Sequence, residues 1–240
     1  MVERTSVVRI ERREGWGELV LDRPARRNAL TVELVVQLRA GLAQLSADDA
    51  TGAILVRGEG SCLCSGLDLR ELVGEANASK RAAFGTEWSE LHRELAACAR
   101  PTIAVLEGAA VAAGAALALA CDFLLAGERA SLHVSEVTRA MTAPMNIAWL
   151  VTKYGSARAL DLCVSAEPHD GVDLFRLGMA VAVVDDANVL SAAREMAARL
   201  SGYDRGAMAA SKDMIRAAGG FDFETVLTQM RNRPVGRTPS

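Results

Sequence analysis

The sequence predicts an α/β fold that ends in a helical layer. Three observations predict it. Short apolar runs alternate with longer stretches of helical periodicity up to about residue 155. Beyond that point nearly every pattern is helical. Two of the apolar runs also pass through glycine into small residues, as a strand does when it turns sharply into a helix.

The elements follow in chain order. Residues 7–10 and 18–21 read as the first two strands, each rich in Val, Leu or Ile. Thr31 suits a helix N-cap, and Glu33 falls in the first turn, where an acidic group meets the positive end of the dipole. Leu34, Leu38, Leu42 and Leu45 then repeat on one helical face. Strands follow at 53–57 and 102–106, separated by a helix over 79–98 that Pro101 closes. Further strands are expected at 123–126 and 180–184, and helices at 157–164, 172–177, 189–200 and 206–217. Residues 231–240 carry two prolines and a glycine among polar groups and read as a frayed tail.

Composition narrows the function classes. A chain of 240 residues, half of them hydrophobic, supports one large domain or one domain with a small appendage. The net charge of -3 points away from nucleic acid and membrane surfaces as general partners. No apolar run reaches the roughly 20 residues of a spanning helix. The first residues lack the apolar core of a secretion signal, so a cytoplasmic protein is expected. Cys62, Cys64, Cys98, Cys121 and Cys163 are odd in number and irregular in spacing, unlike a disulfide framework. The Cys62 and Cys64 pair lacks the second pair of ligands that zinc needs, and His92, His133 and His169 are scattered. No metal site is expected.

Two stretches carry chemistry. The first runs from Gly60 to Arg70, directly after the strand at 53–57. A strand that ends in small residues and glycine aims its N–H groups into a cleft and not into a ladder. An ordinary strand-to-helix turn with Asp68 as a cap accounts for the same residues. The second runs from Glu107 to Asp122, after the strand at 102–106. Gly108 breaks that strand, and small residues lead into a helix apolar on every side, hence buried. Its N-terminus offers unpaired N–H groups and a positive dipole end, which suit a developing oxyanion. A helix packed on alanines for steric reasons alone has the same sequence.

At this point the residues resemble the enoyl-CoA hydratase/isomerase (crotonase) superfamily. Arg23-Pro24 through Asn28-Ala29-Leu30 is similar to its R-P-x-x-x-N-A-L segment, and Cys64 through Leu69 to its C-A-G-x-D-L. Glu107-Gly108 through Cys121-Asp122 is similar to its N-G-x-x-x-G-G-G-x-E-L-A-L-x-C-D. Gly155 to Leu160 and Leu177-Gly178 fall where the family has G-x-x-R-A and G-L-V, and the match runs to about Asp213. Each motif is weak alone; their order and spacing carry the resemblance.

The resemblance implies stacked ββα units wound into a spiral over residues 1–185, then a helical region over 186–240 that makes trimers or dimers of trimers. It implies an acyl-CoA thioester as substrate, with no further cofactor. The oxyanion hole, carried over by position, is the backbone N–H groups of Leu67 and Ala113. The middle glycine of the family's G-G-G is Ala113 here. CoA contacts are implied at Leu67, Asp68 and Leu69 and near Arg26, Arg27 and Arg70, whose guanidinium groups suit phosphate. Solvated surface arginines account equally well for those three. The family's acid–base glutamate, counted from Asp122, falls on Glu136.

Two departures bear on the chemistry. Hydratases of the family use a second glutamate, and the aligned residue is Ala116. Adding water to a conjugated C=C needs one group to activate the water and a proton for Cα. A single carboxylate instead suits moving a proton between carbons, which is double-bond isomerisation. The family's P-G-x-G-G is also lost: the region from Arg139 to Trp149 carries bulky residues, with Met141, Met145 and Trp149 as pocket liners or plain core. Three readings stay open: an isomerase or unusual hydratase with Glu136 as base, a non-catalytic acyl-CoA-binding protein, and a thioester hydrolase or decarboxylase involving His133 and Asp68.

Overall fold

The computed structural model describes residues 6–72, 75–219 and 223–231. The chain opens with an antiparallel pair, β1 (Val8–Arg12) and β2 (Trp16–Leu21). α1 (Val32–Ala47) begins where Thr31 accepts the Leu34 N–H at 3.1 Å, and it buries Leu34, Leu38, Leu42 and Leu45. The next segment is β3 (Ala53–Gly58), β4 (Cys62–Cys64), α2 (Leu69–Leu72) and α3 (Ala78–Ala97). The same order recurs in β5 (Thr102–Leu106), β6 (Ala109–Val111) and α4 (Ala113–Ala120), and again in β7 (Phe123–Gly127), β8 (Ser131–His133) and α5 (Pro144–Val164). The chain continues through β9 (His169–Asp170), α6 (Gly171–Arg176) and β10 (Ala182–Val184). It ends in α7 (Val189–Ser201), α8 (Arg205–Ala218) and α9 (Phe223–Arg231).

Each recurrence places a long strand in one sheet and a three-residue strand in another, then a helix. The long strands form a six-stranded sheet in the order β1-β2-β3-β5-β7-β10, parallel from β2 onward. The short strands form a second sheet, β4-β6-β8-β9. This is a spiral of ββα turns, as the resemblance implies. The short strands are the elements that periodicity does not detect. Two or three residues hold no alternation, and their hydrogen bonds come from a neighbour one full turn away.

Two cores lie on opposite sides of the six-stranded sheet. The larger joins inward side chains of β2, β3 and β5 to α1, α3, α4 and α5. The smaller joins Ala53, Leu55, Ile103, Val105 and Leu125 to Val189, Ala193 and Ala197, one stripe of α7 at helical spacing. Arg194 of α7 donates to buried Glu18 of β2 (2.7 Å), which also accepts from Arg57 of β3 (2.9 Å). α8 differs: it buries no residue, and Met214 and Ile215 are each 71% exposed.

Some boundaries move. α5 starts at Pro144, well before the expected 157, and is interrupted at Gly155, whose φ of 82° is non-helical. The strand expected at 180–184 begins at Ala182. α9 reaches Arg231, so the tail expected from there lies, beyond that residue, outside the described residues. Among the described residues no helix is long and apolar enough to cross a membrane.

Candidate active site

The floor of the site is backbone. Buried Asn28 sets one edge: its Oδ1 accepts the Arg23 N–H, and its Nδ2 donates to the carbonyls of Glu59 (3.0 Å) and Cys62 (2.7 Å). That holds the 23–30 loop against β4. Leu30 then bridges the next loop in parallel fashion: its N–H donates to Gly66 O (2.8 Å), and its carbonyl accepts from Asp68 N–H (2.9 Å). In a parallel bridge the intervening residue turns its own N–H the other way, so Leu67 N–H is not committed to Leu30.

The second edge is the start of α4. β6 lies between β4 and β8, and the chain leaves it through Ala112 at φ 52° and ψ −116°. A side chain is strained there, because that backbone region belongs almost wholly to glycine. Ala112 N–H donates to His133 O (2.8 Å), and Ala112 O accepts the Ala116 N–H (3.2 Å), the first intrahelical bond of α4. Ala113 is thus the first helical residue, and its N–H has no place in the helical ladder. Gly66, at φ 94°, packs beside it: a Cβ there would lie 3.9 Å from Ala113 N. Gly114 packs against β4 so closely that a Cβ would overlap the Cys64 carbonyl. Leu67 and Ala113 are therefore brought to one place, and both are half-buried.

The wall is made of side chains. Glu136 opens a 3-10 turn (Glu136–Arg139) that follows β8, and its Oε1 accepts from Asn146 Nδ2 of α5 at 3.0 Å. The same Nδ2 donates to Ala112 O at 3.1 Å. Glu136 is thus one amide away from the peptide that carries the Ala113 N–H. Among the described residues Glu136 Oε2 and Asn146 Oδ1 are buried and meet no hydrogen-bond partner. Burial raises the Glu136 carboxyl above its ordinary value, opposed by its own backbone N–H, then by the Asn146 donor and by His133 and Arg139. His133 itself pairs through Nε2 with Ala166 O at 2.8 Å.

The remaining sequence-derived residues are placed as follows. Asp68 is half-buried and ion-paired with Arg23 at 3.0 Å, while Leu69 is exposed. Arg26 and Arg27 are exposed on the 23–30 loop and Arg70 is exposed on α2, beside the floor. Ala116 is 0% exposed, inside α4. Met141, Met145 and Trp149 do not act together: Met141 is exposed, the others buried. Trp149 donates from Nε1 to His92 Nδ1 at 2.7 Å and stacks on Phe223, with ring centroids 4.2 Å apart. Burial lowers His92 to about 3, so that imidazole is a neutral core group. A cavity of about 1180 Å³ opens among Trp149, Lys153, Tyr154, Lys212, Ile215 and Phe223, away from Leu67, Ala113 and Glu136. Sequence reasoning passed over Asn146. Its only signal is an amide between Met145 and Ile147 in an otherwise apolar stretch, ten residues after Glu136.

Comparison with known proteins agrees with this architecture. The family described as Enoyl-CoA hydratase/isomerase matches residues 11–232. A Rhodobacter capsulatus protein named "Probable enoyl-CoA hydratase" is 31% identical over 212 residues, covering 88% of this chain and 81% of its own. One of the same description from Mycobacterium tuberculosis is 28% identical over 221 residues, covering 92% and 83%. Among solved structures, a Pseudomonas aeruginosa protein is 29% identical, with a TM-score of 0.83 over 97% of this chain and all of its own. An enoyl-CoA hydratase from Bacillus anthracis shares the fold at a TM-score of 0.84, with 24% identity over 94% and 88% of the two chains. With the match spanning nearly the whole chain, this protein belongs to the enoyl-CoA hydratase/isomerase family.

Proposed function

We propose that this acyl-CoA enzyme moves a proton between carbons of an enoyl-CoA, with Glu136 as its sole acid–base group. One observation carries the reading. Glu136 is the carboxylate linked to the start of α4, while position 116, where hydratases of the family place their second glutamate, is a fully buried alanine. On a 3-enoyl-CoA, Glu136 takes a proton from Cα. The electron pair spreads through the double bond to the thioester oxygen, where the N–H groups of Leu67 and Ala113 stabilise it. The carboxyl then returns the proton at Cγ, and the product is the 2-enoyl-CoA. No atom is gained or lost. One backbone donor of this kind contributes about 2.7–4 kcal/mol. Burial suits the base, because a carboxyl raised toward neutrality both accepts and returns a proton readily.

Exposed Arg26, Arg27 and Arg70 border the cleft and supply cations for the CoA phosphates. Asp68 holds the loop through Arg23. The exposed apolar residues of α8 favour assembly as a homotrimer or dimer of trimers, which light scattering at micromolar concentration checks.

Hydration is the second reading, favoured by the names of the relatives. A spectrophotometric panel of 2-enoyl-CoA and 3-enoyl-CoA thioesters of several lengths separates the two. Isomerisation raises the absorbance of the conjugated thioester from a 3-enoyl-CoA; hydration removes it from a 2-enoyl-CoA. Turnover of neither, with binding intact, would leave a non-catalytic acyl-CoA-binding protein.

A further inference from the structure

We infer that Asn146 is a positioning residue for the reaction: its amide ties the Glu136 carboxylate to the peptide leading into Ala113 and leaves Glu136 Oε2 to meet the substrate. The inference rests on the reading of Glu136 as the base.

Asn146 is only 1% exposed, on the first turn of α5. Both groups that face its Nδ2, the Glu136 carboxylate and the Ala112 carbonyl, are acceptors. The amide orientation follows from this, since only the NH2 end donates. Two protons of one nitrogen thus span the two halves of the site. One half is a side chain on a short turn; the other is the strained peptide at the head of α4. A 3-10 turn of four residues holds its first side chain loosely by itself, and the carboxylate of Glu136 has no ion-pair partner among the described residues. Without the Asn146 donor the carboxylate keeps only packing and its own backbone N–H, and nothing ties it to the head of α4.

The tie has two consequences. It engages Oε1, so the reacting oxygen is Oε2, which is buried and meets no protein donor among the described residues. It also stabilises the ionised form of the base against burial. The charged or titratable groups that bear on Glu136 are His133 of β8, Arg139 of its own turn and Cys163 at the far end of α5. Of the groups that bear on Glu136 from outside its own turn, Asn146 is the one that donates a hydrogen bond to the carboxylate. The Ala112 carbonyl keeps a second partner in Ala116 N–H, so loss of Asn146 disturbs the base more than the oxyanion donor.

The experiment uses Asn146→Leu, which keeps the volume without the donor, and Asn146→Ala, which removes both. Glu136 is followed by 13C NMR titration of its carboxyl in the ligand-free protein, assigned with Glu136→Gln. Kinetics are taken on hex-3-enoyl-CoA across pH. We expect the carboxyl midpoint and the acidic limb of kcat/KM to move to higher pH in both variants. We expect kcat to fall about 10²-fold, as for a misplaced catalytic group, with KM within about 2-fold, since the thioester is held by backbone donors. A folded variant with an unmoved midpoint and wild-type kcat overturns the inference. So does a loss of melting temperature alone, or failure of both variants to fold, since either leaves Asn146 a structural part. Full turnover by Glu136→Gln sinks the base assignment itself, an outcome the Asn146 variants do not produce.

Discussion

On one side of the cleft, β4, β6 and the head of α4 present backbone N–H groups and demand small residues. On the other, the turn at 136–139 and the head of α5 present two polar side chains whose identity is the whole point. The floor is limited by space: Gly114 touches the Cys64 carbonyl, and every residue from Gly114 to Ala120 is buried. The wall is limited by chemistry: one carboxylate and one amide, each with an oxygen that meets no partner among the described residues. The difference explains how the family's G-G-G can become Ala-Ala-Gly here. An alanine still has its N–H, so the floor keeps its donors at the cost of strain at Ala112, whereas no apolar residue replaces a carboxylate.

The sharpest way to break this contrast is to change the wall without changing its shape. Glu136→Gln is expected to lower turnover by about 10²–10⁴-fold, the usual contribution of general acid–base catalysis. Calorimetry should still show acyl-CoA binding at close to wild-type affinity. Full turnover with every active thioester would place the base elsewhere.

The converse change puts chemistry into the floor. Ala116→Glu restores the second glutamate in name only. An unpaired carboxylate at a fully buried position should cost more than about 3 kcal/mol, read as a lower urea midpoint, and hydration of a 2-enoyl-CoA should stay near background. A stable variant with strong hydratase activity would show that this stretch of α4 has room and water that its packing denies.

A smaller effect relieves the floor's strain. Ala112→Gly suits φ 52° and ψ −116° and should stabilise the chain by about 1–2 kcal/mol, with the activity retained. Destabilisation would mean that the Cβ of Ala112 contributes packing that outweighs the backbone term.

The smallest effect lies in pH. Burial raises the Glu136 carboxyl, so the folded chain holds that proton more tightly than the unfolded chain. The associated stability is complete below the ordinary glutamate value and is lost as pH rises through the folded value. Glu136→Gln carries no such loss. Its melting temperature should match wild type in acid and exceed it at pH above the folded value. A constant offset at all pH values would assign the difference to packing.

Much of the framework was legible in the residues. Thr31 caps α1, the four leucines after it are buried, and the strand at 102–106 has the bounds its apolar run implies. The resemblance put Leu67 and Ala113 forward together as backbone donors, since such a donor needs only its chain position, and the fold sets Gly66 beside Ala113. The three-residue strands were not legible, nor was α5 before residue 157. Asn146 was invisible for a deeper reason. Its partners, Ala112 and Glu136, lie 34 and 10 residues away, and nothing in one helical turn shows which carbonyl and which carboxylate a buried amide will meet.

By itself, then, the sequence determined the alternation of long strands and helices, the glycine turns, the alanine-packed helix and the count of carboxylates. These depend on local periodicity, on residue size and on which side chains carry ionisable groups. Only the tertiary structure decided that one amide joins Glu136 to the strained peptide at Ala112, and that α8 keeps its apolar face outside the core of the chain. Both are outcomes of how successive turns of the spiral stack, and stacking brings together groups whose separation along the chain carries no signal of their contact.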